Sequence, residues 1–163
     1  GRPGGASGLA ALVYRRTTGP YLLCDFTHRL YLAGATTMTD SPTPKAIVLF
    51  AHGPRDPLWH KPIAEVAAHI ATLAPQAAVA CAYLELSKPD LPTAVQTLVA
   101  SGARHISILP MFLGVGRHAR EDLPELVQQL RSTFPAIRFT LKPAIGEDPR
   151  LIVLLAQLAI ESL

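Results

Sequence analysis

The sequence predicts an α/β domain: a four-stranded parallel sheet flanked by helices on both faces. Three observations predict it. From Lys45 onward, short β-branched apolar runs alternate with segments of helical period. The first run, residues 46–51, is apolar throughout, as a strand buried on both faces requires. Two glycine-containing turns, Ala51-His52-Gly53-Pro54-Arg55-Asp56 and Phe112-Leu113-Gly114-Val115-Gly116-Arg117-His118, each follow such a run and each carry a histidine.

The elements follow in order. A helix over 57–74 is predicted from Trp59, Ile63, Val66, Ile70 and Leu73, spaced by three and four. Residues 77–84 form the second strand. Asp90 is placed to cap a helix over 91–101, with Leu91, Val95 and Leu98 inward and Gly102 just past its end. The third strand covers 105–112, with Ile106, Ile108 and Leu109 at its centre. A helix over 119–133 carries Leu123, Leu126 and Leu130, with Phe134 just beyond; Pro124 fits only in its first turn. Residues 137–141 make the fourth strand. Asp148 caps a last helix, with Leu151, Leu154, Leu155 and Leu158 expected inward. Right-handed crossovers are expected, and ligands in such sheets bind beyond the carboxyl ends of the strands, where strand order reverses. In a flavodoxin-like order the first and third strands are neighbours, and His52 and His118 then face one crevice.

Composition sets the bounds. At 163 residues, 49% hydrophobic and 17% charged, the chain is neither disordered nor fibrous. No apolar run approaches the roughly 20 residues of a membrane span, so no membrane partner is expected. Cys24 and Cys81 imply no disulfide framework, and a reducing cytoplasm is the default compartment. The net charge of +3 lies wholly in residues 1–37, where Arg2, Arg15, Arg16 and Arg29 oppose only Asp25. The remainder is neutral and shows no basic face, so no nucleic-acid partner is expected. Residues 1–44 read as a leader or tag-like extension, expected to be poorly packed, and 45–163 as the domain. The stretch from Met38 to Pro44 reads as a natural start with a polar lead-in. No apolar core followed by a small-residue cleavage site marks a secretory signal, while an arginine-bearing, acid-poor transit peptide stays open.

Neutral imidazole binds divalent first-row metals and accepts protons near neutral pH. His52 and His118 are 66 positions apart, so topology alone links them; each is otherwise a turn histidine satisfied by backbone groups. Gly53, Gly114 and Gly116 either admit a positive φ and a close ligand or are ordinary turn glycines. Glu85, at the end of the second strand, is a third ligand or proton acceptor, or else a solvated acid. Asp122 orients His118 or caps the helix. Arg55, Lys88, Arg117 and Arg120 surround the expected mouth, as carboxylate partners or as plain surface charges. His60 and His69 are expected solvated, His105 lies at the wrong end of the sheet, and Met111 and Cys81 read as core.

These residues resemble a known family, the small class II chelatases that insert metal into sirohydrochlorin. The resemblance rests on Leu49-Phe50-Ala51-His52-Gly53-Pro54-Arg55-Asp56-Pro57, Tyr83-Leu84-Glu85-Leu86-Ser87-Lys88-Pro89, Gly102-Ala103-Arg104-His105 and Leu109-Pro110-Met111-Phe112-Leu113-Gly114-Val115-Gly116-Arg117-His118. Asp122-Leu123-Pro124 and Gly146-Glu147-Asp148-Pro149-Arg150-Leu151 continue it, over about 46–155. It implies a chelatase-like half-domain in which His52 and His118 bind the incoming metal and His52 accepts pyrrole protons. Lys88 and the loop Leu113, Gly114, Val115, Gly116 and Arg117 would contact the macrocycle. The divalent metal (Co²⁺, Fe²⁺ or Ni²⁺) would be substrate, with no tightly bound cofactor, and the chain would pair as a homodimer. Two positions depart from the family: Pro54 stands where serine is usual, and Lys88 where an acid is common.

Metal insertion fits this chemistry. Two pyrrole N–H protons must leave while the ion sheds water, and two imidazoles on an open site release an ion that a closed four-ligand site would trap. A non-catalytic metal or tetrapyrrole carrier of the same fold is the alternative. A histidine phosphotransferase is disfavoured, because Ala51 stands where a phosphate-holding arginine is wanted.

Overall fold

A computed structural model describes residues 13–14, 44–53, 57–85, 87–161 and 163. The strands are β1 (Val13–Tyr14), β2 (Lys45–Ala51), β3 (Ala78–Tyr83), β4 (His105–Pro110) and β5 (Arg138–Leu141). The helices are α1 (Lys61–Leu73), α2 (Leu91–Ala100), α3 (Arg117–Thr133) and α4 (Pro149–Ile160), with 3-10 turns at Pro57–His60 and Ile145–Glu147.

The sheet order is β1-β3-β2-β4-β5, and β2 to β5 run parallel. The predicted switch point is present: β2 lies between β3 and β4, with Ala51 opposite Tyr83 and Phe50 opposite Pro110. The carboxyl ends of these three strands therefore form one rim.

Because β2 has no polar face, both of its faces are covered. Val48, Phe50, Ile106 and Ile108 pack with Leu91, Val95 and Leu98 of α2 and Leu123, Val127 and Leu130 of α3. On the other face Leu49, Val79 and Cys81 pack with Ile63 and Ala67 of α1. Burial pushes the Cys81 thiol up to about 11. It stays a neutral thiol near pH 7 and acts as a small hydrophobe, as expected. Asp90 caps α2 by accepting from the Thr93 N–H at 3.0 Å, and Asp148 caps α4 by accepting from the Arg150 N–H at 2.9 Å.

Four expectations need correction. Part of the leader does join the fold: Val13 and Tyr14 pair antiparallel with Ala80 and Val79, because the outer edge of β3 offers unpaired backbone groups. The buried stripe of α1 is Ile63, Ala67 and half-buried Ile70, while Val66 and Leu73 are exposed. Small Ala67, not a larger residue, sits against the sheet. Pro124 lies two turns inside α3, since the helix begins at Arg117. Packing of the flanking Leu123 and Val127 holds the helix through a residue with no N–H to donate.

The largest correction concerns α4. None of its residues is buried, and Ile152, Val153, Leu154, Leu155, Leu158 and Ile160 are 43–65% exposed. Among the described residues its principal neighbour is the Ile145–Glu147 turn. A helix that is apolar almost all round carries no periodic signal for an inward face, and such helices ordinarily become buried on every side.

Candidate functional site

The site starts as an extension of the sheet. Beyond the last β2–β3 pair, the Leu84 N–H donates to the Ala51 carbonyl at 2.8 Å and the Glu85 N–H donates to the His52 carbonyl at 3.0 Å. His52 is thus held by its backbone while its side chain is exposed. Gly53 follows with φ +90°, and a Cβ there would lie 2.0 Å from the Glu85 carbonyl oxygen. Only glycine meets both demands, so the His-Gly pair is a steric necessity of this turn.

On the β4 side, the Met111 N–H donates to the Phe50 carbonyl at 2.7 Å, which carries the chain into buried Phe112. The His52 and Phe112 rings meet with centroids 4.3 Å apart and planes 39° from parallel. Phe112 also meets Phe50 edge-on at 5.9 Å. Aromatic contact thereby ties the two predicted turns together across the switch point. Leu113 stands 69% exposed on the loop that follows. Gly146 fixes that loop from below. Its N–H donates to the Phe112 carbonyl at 3.0 Å, and a Cβ on it would lie 2.0 Å from the Leu113 carbonyl oxygen.

Gly114 and Gly116 are not at positive φ, contrary to one expectation, and among the described residues beyond their chain neighbours nothing lies within 4 Å of where their Cβ atoms would stand. Their smallness leaves room above the loop. Half-buried Val115 lies between them. Arg117 and His118 open α3 directly after this loop. The backbone therefore brings His118 to the same end of the sheet as His52; the side chains of Arg117 and His118 lie outside the described residues, as do Arg55 and Pro54.

The loop after β3 carries the other candidates. Glu85 is exposed, and its backbone braces the His52 turn. Lys88 hydrogen-bonds the Asp90 carboxylate, and this contact, with the Thr93 donors, holds the Asp90 carboxyl at about 2. His60 departs from expectation. It is half-buried, stacked on Tyr83 with ring centroids 4.5 Å apart, and its Nε2 lies 3.2 Å from Ser87 Oγ. It braces the loop bearing Glu85 and Lys88, a role no sequence signal reveals across 27 positions. The other histidines behave as expected: His69 is exposed, and His105 pairs with Thr140 at the opposite end of the sheet.

Asp122 and Glu125 of α3 line a cleft of about 250 Å³ with Phe50 and Leu84. Among the described residues, no group of three or more His, Cys, Asp or Glu side chains could hold a metal. No described helix is long and apolar enough to cross a membrane.

Known proteins resemble this chain in sequence and fold. The sirohydrochlorin ferrochelatase of Bacillus subtilis (strain 168) is 33% identical over 70 residues, 43% of this chain and 27% of that protein. The sirohydrochlorin cobaltochelatase of Methanococcus aeolicus is 31% identical over 83 residues, 51% of this chain and 58% of that protein. The match thus spans only about a quarter to three-fifths of these curated relatives. Among solved structures, a CbiX protein from Marinobacter aquaeolei VT8 superposes with a TM-score of 0.64 at 30% identity, covering 73% of this chain and 97% of that one. The sirohydrochlorin chelatase SirB from Bacillus subtilis subspecies spizizenii, solved in complex with cobalt, gives a TM-score of 0.61 at 26% identity, covering 69% of this chain and 48% of that one. The CbiX family model matches residues 46–162, which takes in both histidine turns and all of the parallel sheet but Lys45, and the chain belongs to the CbiX family.

Proposed function

We propose that this protein inserts a divalent metal, Co²⁺ or Fe²⁺, into sirohydrochlorin or a related tetrapyrrole on the route to siroheme or cobalamin. The observation that carries the reading is the exposed His52 imidazole, seated on Phe112 at the switch point and facing a glycine loop that opens into the helix bearing His118. Family membership and the chelatase activity of the named relatives support it.

In this reading His52 and His118 hold the incoming ion, and most of its coordination sphere stays with water. The macrocycle lies on the 113–116 loop, its face against Leu113 and Val115, its approach permitted by Gly114 and Gly116. Lys88 and Arg117 contact its anionic rim. As the ion sheds water and takes the four ring nitrogens, two pyrrole N–H bonds break. His52 accepts these protons and passes them to solvent, with Glu85 beside it as a further acceptor. Ion and macrocycle enter together and leave as one product with two protons released, so the metal is substrate. Nickel fits the same donor set, since two imidazoles do not discriminate among these ions. The test is absorbance of metal-free sirohydrochlorin with Co²⁺ or Fe²⁺ at catalytic protein concentration. Many turnovers per protein support the enzyme; stoichiometric binding without acceleration supports a carrier instead.

The working form in this reading is a homodimer in the cytoplasm, and α4 is the face that the second copy covers. Burying six large apolar side chains from each copy is a strong drive to associate. SirB, matched over 48% of its length, has room for a second such half in one chain. Sedimentation should give a dimer, and Leu154→Glu with Leu158→Glu should give a soluble monomer. A wild-type monomer overturns the dimer and points to residues 1–43 as the cover.

A further inference from the structure

We propose that the cavity beneath the 113–116 loop is a carboxylate subsite, in which Arg120 and Lys142 hold one acidic side arm of the macrocycle. The proposal rests on the chelatase reading and identifies the contact that sets the ring's rotation over His52.

The cavity, about 130 Å³, lies between the carboxyl ends of β4 and β5 and the first turns of α3. Phe112 forms one wall. The same ring carries His52 at 4.3 Å, so the cavity begins one aromatic ring away from the imidazole. A ligand bound at both places spans from ring centre to ring edge, which is the geometry of a macrocycle with a pendant arm.

Size and chemistry agree on the occupant. The volume is well below the roughly 300 Å³ at which pockets take a whole small-molecule ligand. Val115 and Leu141 help form an apolar wall that suits one or two methylenes. At the rim stand Arg120 and Lys142, both exposed, from different segments of the chain. Among the described residues, neither forms an ion pair with a carboxylate. Glu147 also lines the cavity, so its charged groups sum to one positive charge. An apolar stem ending in a carboxylate is the group that such a lining prefers, with the guanidinium offering paired donors and the ammonium a point charge. The helix starting at Arg117 sets Arg120 in this position: its N–H donates to the Gly116 carbonyl at 3.2 Å, tying the residue to the macrocycle loop itself.

The test titrates full-length protein with metal-free sirohydrochlorin, and separately with its methyl ester, in the absence of metal. Arg120→Gln and Lys142→Gln should each raise the Kd for the acid about tenfold and raise KM for insertion in parallel, with kcat and Co²⁺ affinity held. The ester should bind wild type no better than the acid binds the double variant, and neither substitution should weaken it further. Glu147→Gln should tighten binding of the acid. Lys61→Gln, which removes an exposed charge on α1, should change nothing; an equal loss there would mean general charge attraction and overturn the subsite. Wild-type insertion with Kd unmoved by Arg120→Gln and Lys142→Gln overturns the subsite and leaves the chelatase reading standing. No binding of sirohydrochlorin by the wild type overturns both.

Discussion

The two turns that end β2 and β4 are held by the same device, applied to different degrees. Each passes so close to a later stretch of backbone that a glycine is required at the contact. In the first turn, Gly53 presses on the Glu85 carbonyl and also sits at φ +90°. In the second, Gly146 comes from outside the turn and presses on Leu113, at an ordinary φ. The first turn is therefore constrained twice and the second once. A tightly fixed His52 backbone lies across from a loop with more latitude, a division that suits the proposed reading, in which a small ion is positioned and a large flat ring admitted.

The histidine pair tests the comparison most severely. His52→Ala should lower the insertion rate by about 10²-fold or more, the usual cost of losing a positioned proton acceptor. Unfolding should change by no more than about 1 kcal/mol, the worth of the ring contact with Phe112 that this otherwise exposed residue makes. His118→Ala should lose insertion likewise. Full activity in either variant would remove that turn from the chemistry.

The glycines come next. Gly53→Ala must absorb both a left-handed backbone and a clash, about 2–4 kcal/mol in denaturant unfolding. Gly146→Ala meets the clash alone, about 1–3 kcal/mol. Equal losses would show that the positive φ at Gly53 stores nothing, and the two turns would then count as equivalent.

The smallest effects concern the caps behind each turn. Asp90 anchors the loop bracing the first turn, and Asp148 follows Gly146 behind the second. Hydrogen bonds from Lys88 and Thr93 lower the Asp90 carboxyl from 3.8 to about 2. Hydrogen bonds from the Arg150 side chain and backbone bring Asp148 to the same value. With the folded carboxyl lowered, each contribution is fully present above pH 3.8 and is lost as pH falls toward 2. Asp90→Asn should cost up to about 1 kcal/mol at pH 7, through the lost Lys88 charge contact, and progressively less as pH falls through about 2. Asp148→Asn should cost less, because its partner Arg150 is 89% exposed and screened by solvent. Urea unfolding at both pH values reads this directly.

Much of this molecule was legible in one dimension. The parallel order, the α2 core residues Leu91, Val95 and Leu98, both aspartate caps and the meeting of the two turns all follow from local rules. Apolar period, cap chemistry and crossover handedness each act over a few residues or a single unit. The roles of His60 and Gly146 were not legible, because each depends on a partner 27 to 33 positions away that no local spacing encodes.

The contrast between α3 and α4 shows where that boundary falls. In α3, charged residues leave a single apolar stripe, and Leu123, Val127 and Leu130 are buried as the stripe dictates. In α4, apolar residues stand at nearly every position, no one face is marked, and of the leucines expected inward Leu154, Leu155 and Leu158 are exposed and Leu151 is half-buried. From Lys45 onward the chain alone determined which segments become strands and helices, and which end of the sheet carries the histidines, since these depend on local chemistry and a handedness shared by all such folds. Only the tertiary structure decided which apolar surface is exposed among the described residues, which glycines are indispensable and how Arg120 and Lys142 come to share one cavity. Those outcomes depend on distances between segments remote in sequence, which exist only once the sheet has formed.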